Sequence, residues 1–136
     1  MVTSLYEHQF RLGNYPRLKE GGGKLWLDQL RPLLGSYANL YCGGTDQAQA
    51  FLSIRVKTYP AYLDQSPRAF IGECYVEDNF RGTGIGKALY QMALEWCQQK
   101  GLGSIELQTT MGNDEAEGFW KHLGFQKELT QWKLNL

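Results

Sequence analysis

The clearest pattern of polar and apolar positions lies between residues 37 and 57. Ala38-Asn39-Leu40-Tyr41-Cys42 reads as a strand, a turn follows at Gly43-Gly44-Thr45-Asp46, and then Ala50, Leu52, Ile54 and Val56 alternate with Gln49, Phe51, Ser53, Arg55 and Lys57. A period of two over that length predicts a β-hairpin. After a loop from Pro60 to Pro67, the almost unbroken apolar run Ala69–Val76 predicts a third, more fully buried strand. The period then changes. Ile85, Ala88, Leu89, Met92, Ala93, Trp96 and Cys97 recur every 3.6 residues, which predicts a helix that Gly101 ends. A further strand is expected over Ser104–Thr110. It leads to a short helix capped by Asn113 or Asp114, with Ala116, Phe119, Trp120 and Leu123 as its apolar stripe. Glu117 is expected to complete a box-like cap with Asp114, and Gly124 to end the helix.

The ends of the chain carry weaker patterns. Tyr6, His8, Phe10 and Leu12 share one side of an extended segment, so a first strand is expected there. After Gly21-Gly22-Gly23, the residues Trp26, Leu27 and Leu30 predict a short helix stopped near Pro32. This leaves room for one regular helix before the hairpin. Near the other end, Gln131-Trp132-Lys133-Leu134 reads as a short strand whose edge would suit pairing across a homodimer.

With 136 residues and no repeat or linker, residues 1–136 fit one domain. Fourteen basic groups balance fourteen acidic ones, which gives no electrostatic reason to expect nucleic acid or an anionic membrane as partner. The first residues show neither a basic stretch with an apolar core nor an amphipathic Arg-rich segment, and no apolar run has membrane length. Cys42, Cys74 and Cys97 are odd in number and lack Cys-x-x-Cys spacing, so neither a disulfide framework nor a metal site is expected, and a reducing, cytoplasmic setting is. His8 and His122 stand too far apart in sequence to suggest a catalytic or metal-binding cluster.

The chemistry is concentrated after the third strand. Arg81-Gly82-Thr83-Gly84-Ile85-Gly86-Lys87 lies between that strand and the long helix, a glycine loop feeding a helix N-terminus. Glycines let the backbone approach a diphosphate with its N–H groups turned inward, and the helix dipole adds about half a positive charge. The spacing is not that of a Walker A loop, because Arg81 stands where its first glycine belongs and Ala88 follows Lys87. Nor is it a dinucleotide loop, because Lys87 occupies the place of the third glycine.

Arg81-Gly82-Thr83-Gly84-Ile85-Gly86 does resemble the acetyl-CoA loop of the GNAT superfamily of N-acetyltransferases, Arg/Gln-x-x-Gly-x-Gly/Ala. Asn113-Asp114-Glu115-Ala116, followed by Phe119-Trp120 and Gly124-Phe125, resembles that superfamily's second signature. The resemblance is specific over roughly residues 69 to 125. It implies an α/β (α+β) fold with a mixed, twisted, mostly antiparallel sheet flanked by helices. The sheet would be splayed between the family's fourth and fifth strands, here Ala69–Val76 and Ser104–Thr110.

By the same resemblance, the backbone around Cys74, Tyr75 and Val76 would bond the pantetheine arm of acetyl-CoA like an extra strand. The N–H groups of Gly82, Thr83, Gly84, Ile85 and Gly86 would hold its diphosphate, with Arg81 and Lys87 alongside, and Asn113 would reach the arm. The implied reaction is direct attack of a neutral primary amine, from a small molecule or a protein, on the thioester. An alkylamine has an ordinary pKa near ~10.4, so a proton acceptor is needed. Glu73 is the candidate general base, weighed against a structural carboxylate. Cys74 lacks an activating base and is assigned backbone duty. Trp120 stands where the family usually has a tyrosine that meets the leaving thiolate; an indole N–H donates a hydrogen bond but is no proton source near neutral pH. Water or Tyr75 would then substitute. The acceptor is expected beside the loop holding Tyr59, Pro60, Tyr62, Leu63, Asp64 and Gln65. A non-catalytic acyl-CoA-binding module of the same fold is the alternative reading.

Overall fold

The computed structural model describes residues 1–13 and 15–136. Four strands, β1 (Ala38–Gly43), β2 (Ala50–Lys57), β3 (Arg68–Val76) and β4 (Ile105–Leu107), form one sheet in that order. The first two neighbouring pairs are antiparallel and β3 runs parallel to β4. The predicted hairpin and third strand are therefore present, and the sheet is mixed as expected. The strands that the family counts fourth and fifth are β3 and β4 here.

Helix α3 (Ile85–Gln99) is the crossover between these parallel strands. Its buried Leu89, Ala93, Trp96 and Cys97 pack with Ala50, Leu52, Ile54, Ala69 and Ile71 of the sheet. Leu52 and Ile54 are the largest fully buried side chains, each contributing about 2 kcal/mol through burial. Helices α1 (Val2–Arg11) and α2 (Gly22–Leu30) lie on the opposite face, where Trp26 meets the Phe51 ring edge-on at 5.8 Å. The first half of β2 is thus covered on both faces, and only Arg55, Val56 and Lys57 return to a half-exposed alternation.

The N-terminal segment departs from the sequence expectation. Residues 2–11 form a helix, not a strand, because the decisive spacing is Val2, Leu5, Tyr6 and Gln9, at i, i+3, i+4 and i+7, with Leu5 buried. The region before the hairpin therefore has two regular helices rather than one. Ser104–Thr110 also differs, since only Ile105–Leu107 pairs as a strand. Gln131–Leu134 joins no ladder among the described residues, and Trp132 and Leu134 are exposed. A strand is held by a partner's N–H and C=O groups, and no described strand offers them there.

Helix α4 (Asp114–His122) ends as the sequence suggests. Gly124, at φ 94°, donates to Lys121 C=O, Phe125 N–H donates to Trp120 C=O, and the rings of Phe125 and Trp120 stand 5.3 Å apart. This is a Schellman ending with its hydrophobic contact, which gives the Gly-Phe pair a physical reason. Its start differs in one respect. Asn113 Oδ1 accepts from Ala116 N–H at 3.2 Å, so Glu117 lies one position past box reach and pairs with Lys121 and Lys127 instead.

Candidate functional site

Two registers decide the site. From Arg68 to Ile71, β3 pairs regularly with β2, and Ala69–Ile71 also pairs with β4. Then Ser53 faces Glu73 while Ile54 faces Ile71, which leaves Gly72 as the extra residue of a β-bulge. Side chains alternate along a strand, so if Gly72 were paired in register opposite Ser53, the carboxylate of Glu73 would follow Ala69 and Ile71 into the core. The bulge turns it to the α1 face. Pairing with β4 also stops at the bulge, and the rest of β3 runs on beside an open cleft.

That cleft is lined by Glu73, Cys74, Gln108, Asn113 and Trp120, with Gln9 contributed by α1. Residues 108–110 border it as chain without a strand partner, which is why the expected strand is short. The backbone of β3 is aimed into it. Glu77 N–H donates to Gln49 C=O at 2.9 Å, so residues 77, 75 and 73 turn towards β2, and the peptide groups of Cys74 and Val76 face the cleft. The side chain of Cys74 points the other way, into the core beside Leu52. Burial pushes its thiol up to about 12, so it is not a thiolate at neutral pH.

Glu73 is held at both oxygens. Tyr6 of α1 donates to Oε1 at 3.1 Å, Ser53 Oγ donates to Oε2, and Ser53 Oγ accepts from the Glu73 N–H at 3.1 Å. Burial, then the negative charge of Glu73, raise the Tyr6 phenol above its ordinary range, so it stays a proton-bearing donor. Tyr6, Ser53 and Gln9 are the members that sequence reading missed. The Val2, Leu5, Tyr6, Gln9 spacing was the available signal for two of them.

In the loop that follows β3, Gly82 and Gly84 adopt φ of 73° and 87°, and Gly84 is the N-cap residue of α3. No side chain caps that end and no acid lies in its first turn, whereas α4 begins with an Asn cap, Asp114, Glu115 and Glu117. The N–H groups of Ile85, Gly86 and Lys87 precede the first intrahelical acceptor pairing, which Ala88 makes with Gly84. Lys87 is exposed and Thr83 Oγ donates to Phe80 C=O at 2.6 Å. Arg81 is not a bare cation. Its Nε donates to Val76 C=O at 3.1 Å, and its other nitrogens pair with Asp78 at 2.9 Å and Glu115 at 2.8 Å.

Trp120 lines the cleft but is 7% exposed and stacks edge-on against Tyr90, Phe119 and Phe125. Tyr75, opposite Phe51 and on the same face as Glu73, lies against Arg81 and does not line the cleft. Asn113 uses Oδ1 in capping, which leaves its amide N–H groups for the cleft. Among the described residues, no three His, Cys, Asp or Glu side chains are grouped to hold a metal, and no helix is long and apolar enough to cross a membrane.

The sequence model of the Acetyltransferase (GNAT) family matches residues 4–125. Over 66 residues the chain is 40% identical to an uncharacterized N-acetyltransferase of Methanocaldococcus jannaschii, covering 48% of this chain and 29% of that protein. It spans 29%, 40% and 24% of the length of three curated relatives. Among solved structures, a mutant protein from Bacillus halodurans superposes with a TM-score of 0.82 at 21% identity, over 99% of this chain and 88% of that one. The aminoglycoside N-acetyltransferase AAC(6')-Iy in complex with CoA superposes with a TM-score of 0.67 at 21% identity, over 86% of this chain and 90% of that one. These likenesses extend the shared fold over nearly the whole chain.

Proposed function

The chain belongs to the acetyltransferase (GNAT) family, and from that premise we propose that it takes the acetyl group of acetyl-CoA and transfers it to a primary amine in a ternary complex. One observation carries this reading. The open edge of β3 beyond Gly72 runs beside the cleft and leads through the glycine loop to the uncapped start of α3. An extended amide-bearing arm suits the peptide groups of Cys74 and the N–H of Val76, whose C=O accepts from Arg81, and a diphosphate suits the free N–H groups of Ile85, Gly86 and Lys87. Acetyl-CoA, when bound, supplies an acyl group already activated as a thioester.

The chain's own residues do the rest. Glu73 accepts the proton that makes the amine nucleophilic, and Tyr6 and Ser53 fix the carboxylate towards the cleft. Cys74 contributes backbone only, because its thiol is buried and neutral. Asn113 offers its amide N–H groups to the arm, Lys87 faces the diphosphate, and Trp120 walls the thioester end. This carboxylate, oriented by two hydroxyls, favours catalysis over a purely binding module.

Thermal unfolding with acetyl-CoA, CoA, ATP and NAD tests the first half. A CoA-selective rise is expected, about 2.7 kcal/mol at a hundred times the dissociation constant. Thiol release that depends on added amine tests the second. No shift with any CoA species in folded, ligand-free protein would refute the reading.

A further inference from the structure

The face of the sheet that presents Glu73 continues past it as a basic shelf. On β2, Ser53, Arg55 and Lys57 share that face, and Ser53 already touches Glu73. Arg55 lies two residues further on, about 7 Å along the strand. Its guanidinium sits over the ring of Phe70, its cross-strand partner, 5.2 Å from the centroid. Helix α1 covers Glu73 through Tyr6, whereas Arg55 stays exposed.

The charges on this shelf are unequal in their commitments. Lys57 and Arg68 both pair with Glu106 of β4, which Tyr59 also holds. Among the described residues, Arg55 has no carboxylate partner. The shelf thus carries Arg55, Lys57 and Arg68, with Glu106 and then Glu128 acting on Arg68, and Arg55 is the cation that comes first along β2 from the Ser53–Glu73 pair. The positive field extends to the Tyr6 hydroxyl, where Arg55 opposes the rise in that phenol's pKa.

We propose that Arg55 selects the acceptor, so that the amine deprotonated by Glu73 belongs to a small molecule that also carries an anionic group, a carboxylate or a phosphate, paired with Arg55. The inference rests on the acetyl-transfer reading and deepens it. Arg55 follows Ser53, the partner of Glu73, by two residues on the same face, so an amine at Glu73 and an anion on Arg55 belong to one short molecule, and the Phe70 ring beneath the guanidinium holds that cation in place. A guanidinium suits either anion because its donors form a fork. A polyamine such as an aminoglycoside would instead bring like charge to this shelf, which sets this chain apart from the enzyme in the CoA complex.

The test measures kcat/KM for three primary amines of matched length, an ω-amino carboxylate, an ω-amino phosphate and the neutral amide of the first, and for an aminoglycoside. Wild-type protein should prefer one of the two anionic amines over the amide by about tenfold, the size of one charge-assisted hydrogen bond. The carboxylate and phosphate arms identify which anion it is. Arg55→Gln should erase the preference and Arg55→Glu should reverse it towards the aminoglycoside. If wild type turns over the amide or the aminoglycoside as well as the anionic amines, or if Arg55→Glu keeps the anionic preference, the inference is overturned while acetyl transfer stands. If no amine releases thiol although calorimetry shows acetyl-CoA bound, the transfer reading fails and this inference goes with it.

Discussion

Tyr6 and Glu73 stand 67 residues apart in the chain and 3.1 Å apart in space, phenol to carboxylate. The contact exists because α1 lays its Tyr6 edge over β3 at the point where the Gly72 bulge has turned Glu73 out of the core. Tyr6→Phe removes one of two donors to that carboxylate and should lower kcat by roughly threefold to tenfold. The KM for acetyl-CoA should stay put, and the pH–rate profile should shift. Glu73→Gln should cost about 10²-fold or more in kcat. A Tyr6→Phe variant with lower thermal stability but an unchanged kcat and pH profile would reduce Tyr6 to a packing residue.

Cys42 should be the most reactive of the three thiols, because it alone is exposed. Cys74 is pushed up to about 12 and Cys97 to about 11 by burial, whereas Cys42 is exposed and raised less. Alkylation of folded protein near pH 8, followed by mass spectrometry, should modify Cys42 first and leave Cys74 and Cys97 intact. Cys74→Ala should keep turnover within about twofold, since only the backbone of that residue faces the cleft. Complete loss of turnover with acetyl-CoA binding intact would mean that the sulfur takes part.

Arg81 ties the end of β3 to the first turn of α4, through Val76 C=O on one side and Glu115 on the other. Arg81→Ala should therefore lower thermal stability by about 1–2 kcal/mol, several degrees for a domain of this size. Arg81→Lys should recover less than half of the loss. A lysine keeps the charge but lacks the fork that reaches the carbonyl and two carboxylates together. An unchanged melting temperature in Arg81→Ala would free this guanidinium for a role in ligand binding alone.

The parts of this fold visible in the sequence are those that local chemistry dictates. Gly84 is needed at φ 87° where the loop enters α3, and the Gly124-Phe125 pair is written into the Schellman ending of α4. Both can be read from a few adjacent residues. The β-hairpin was legible because a period of two survives partial burial. The bulge was not, since Gly72 in an apolar run looks like any strand glycine, and only the register against β2 reveals which residue is unpaired. The cleft shortens β4 for the same non-local reason. Helix α1 mimics a strand in its sequence because Tyr6, His8, Phe10 and Leu12 alternate with other residues, while the buried residue that fixes the helix is Leu5. Tyr6 as a partner of Glu73 follows from tertiary packing alone, and the loop signature says nothing of it.

Glu106 gives the sheet a pH dependence that can be separated from catalysis. Hydrogen bonds from Lys57, and then those from Arg68 and Tyr59, hold its carboxyl at about 2, below the ordinary 4.5. A carboxyl whose folded pKa lies below its unfolded pKa binds fewer protons in the native state. Its contribution to stability is then fully present above about pH 4.5 and is lost as pH falls towards about 2. Denaturant unfolding of wild-type protein and of Glu106→Gln, followed from pH 7 down to pH 2, should show the two curves converging over that window. At neutral pH the variant should be the less stable of the two, and high salt should narrow the gap, because the Lys57 partner is partly exposed. A constant difference between the two proteins at every pH would show that the cluster acts through packing of Tyr59 and Arg68, with the charge of Glu106 contributing nothing.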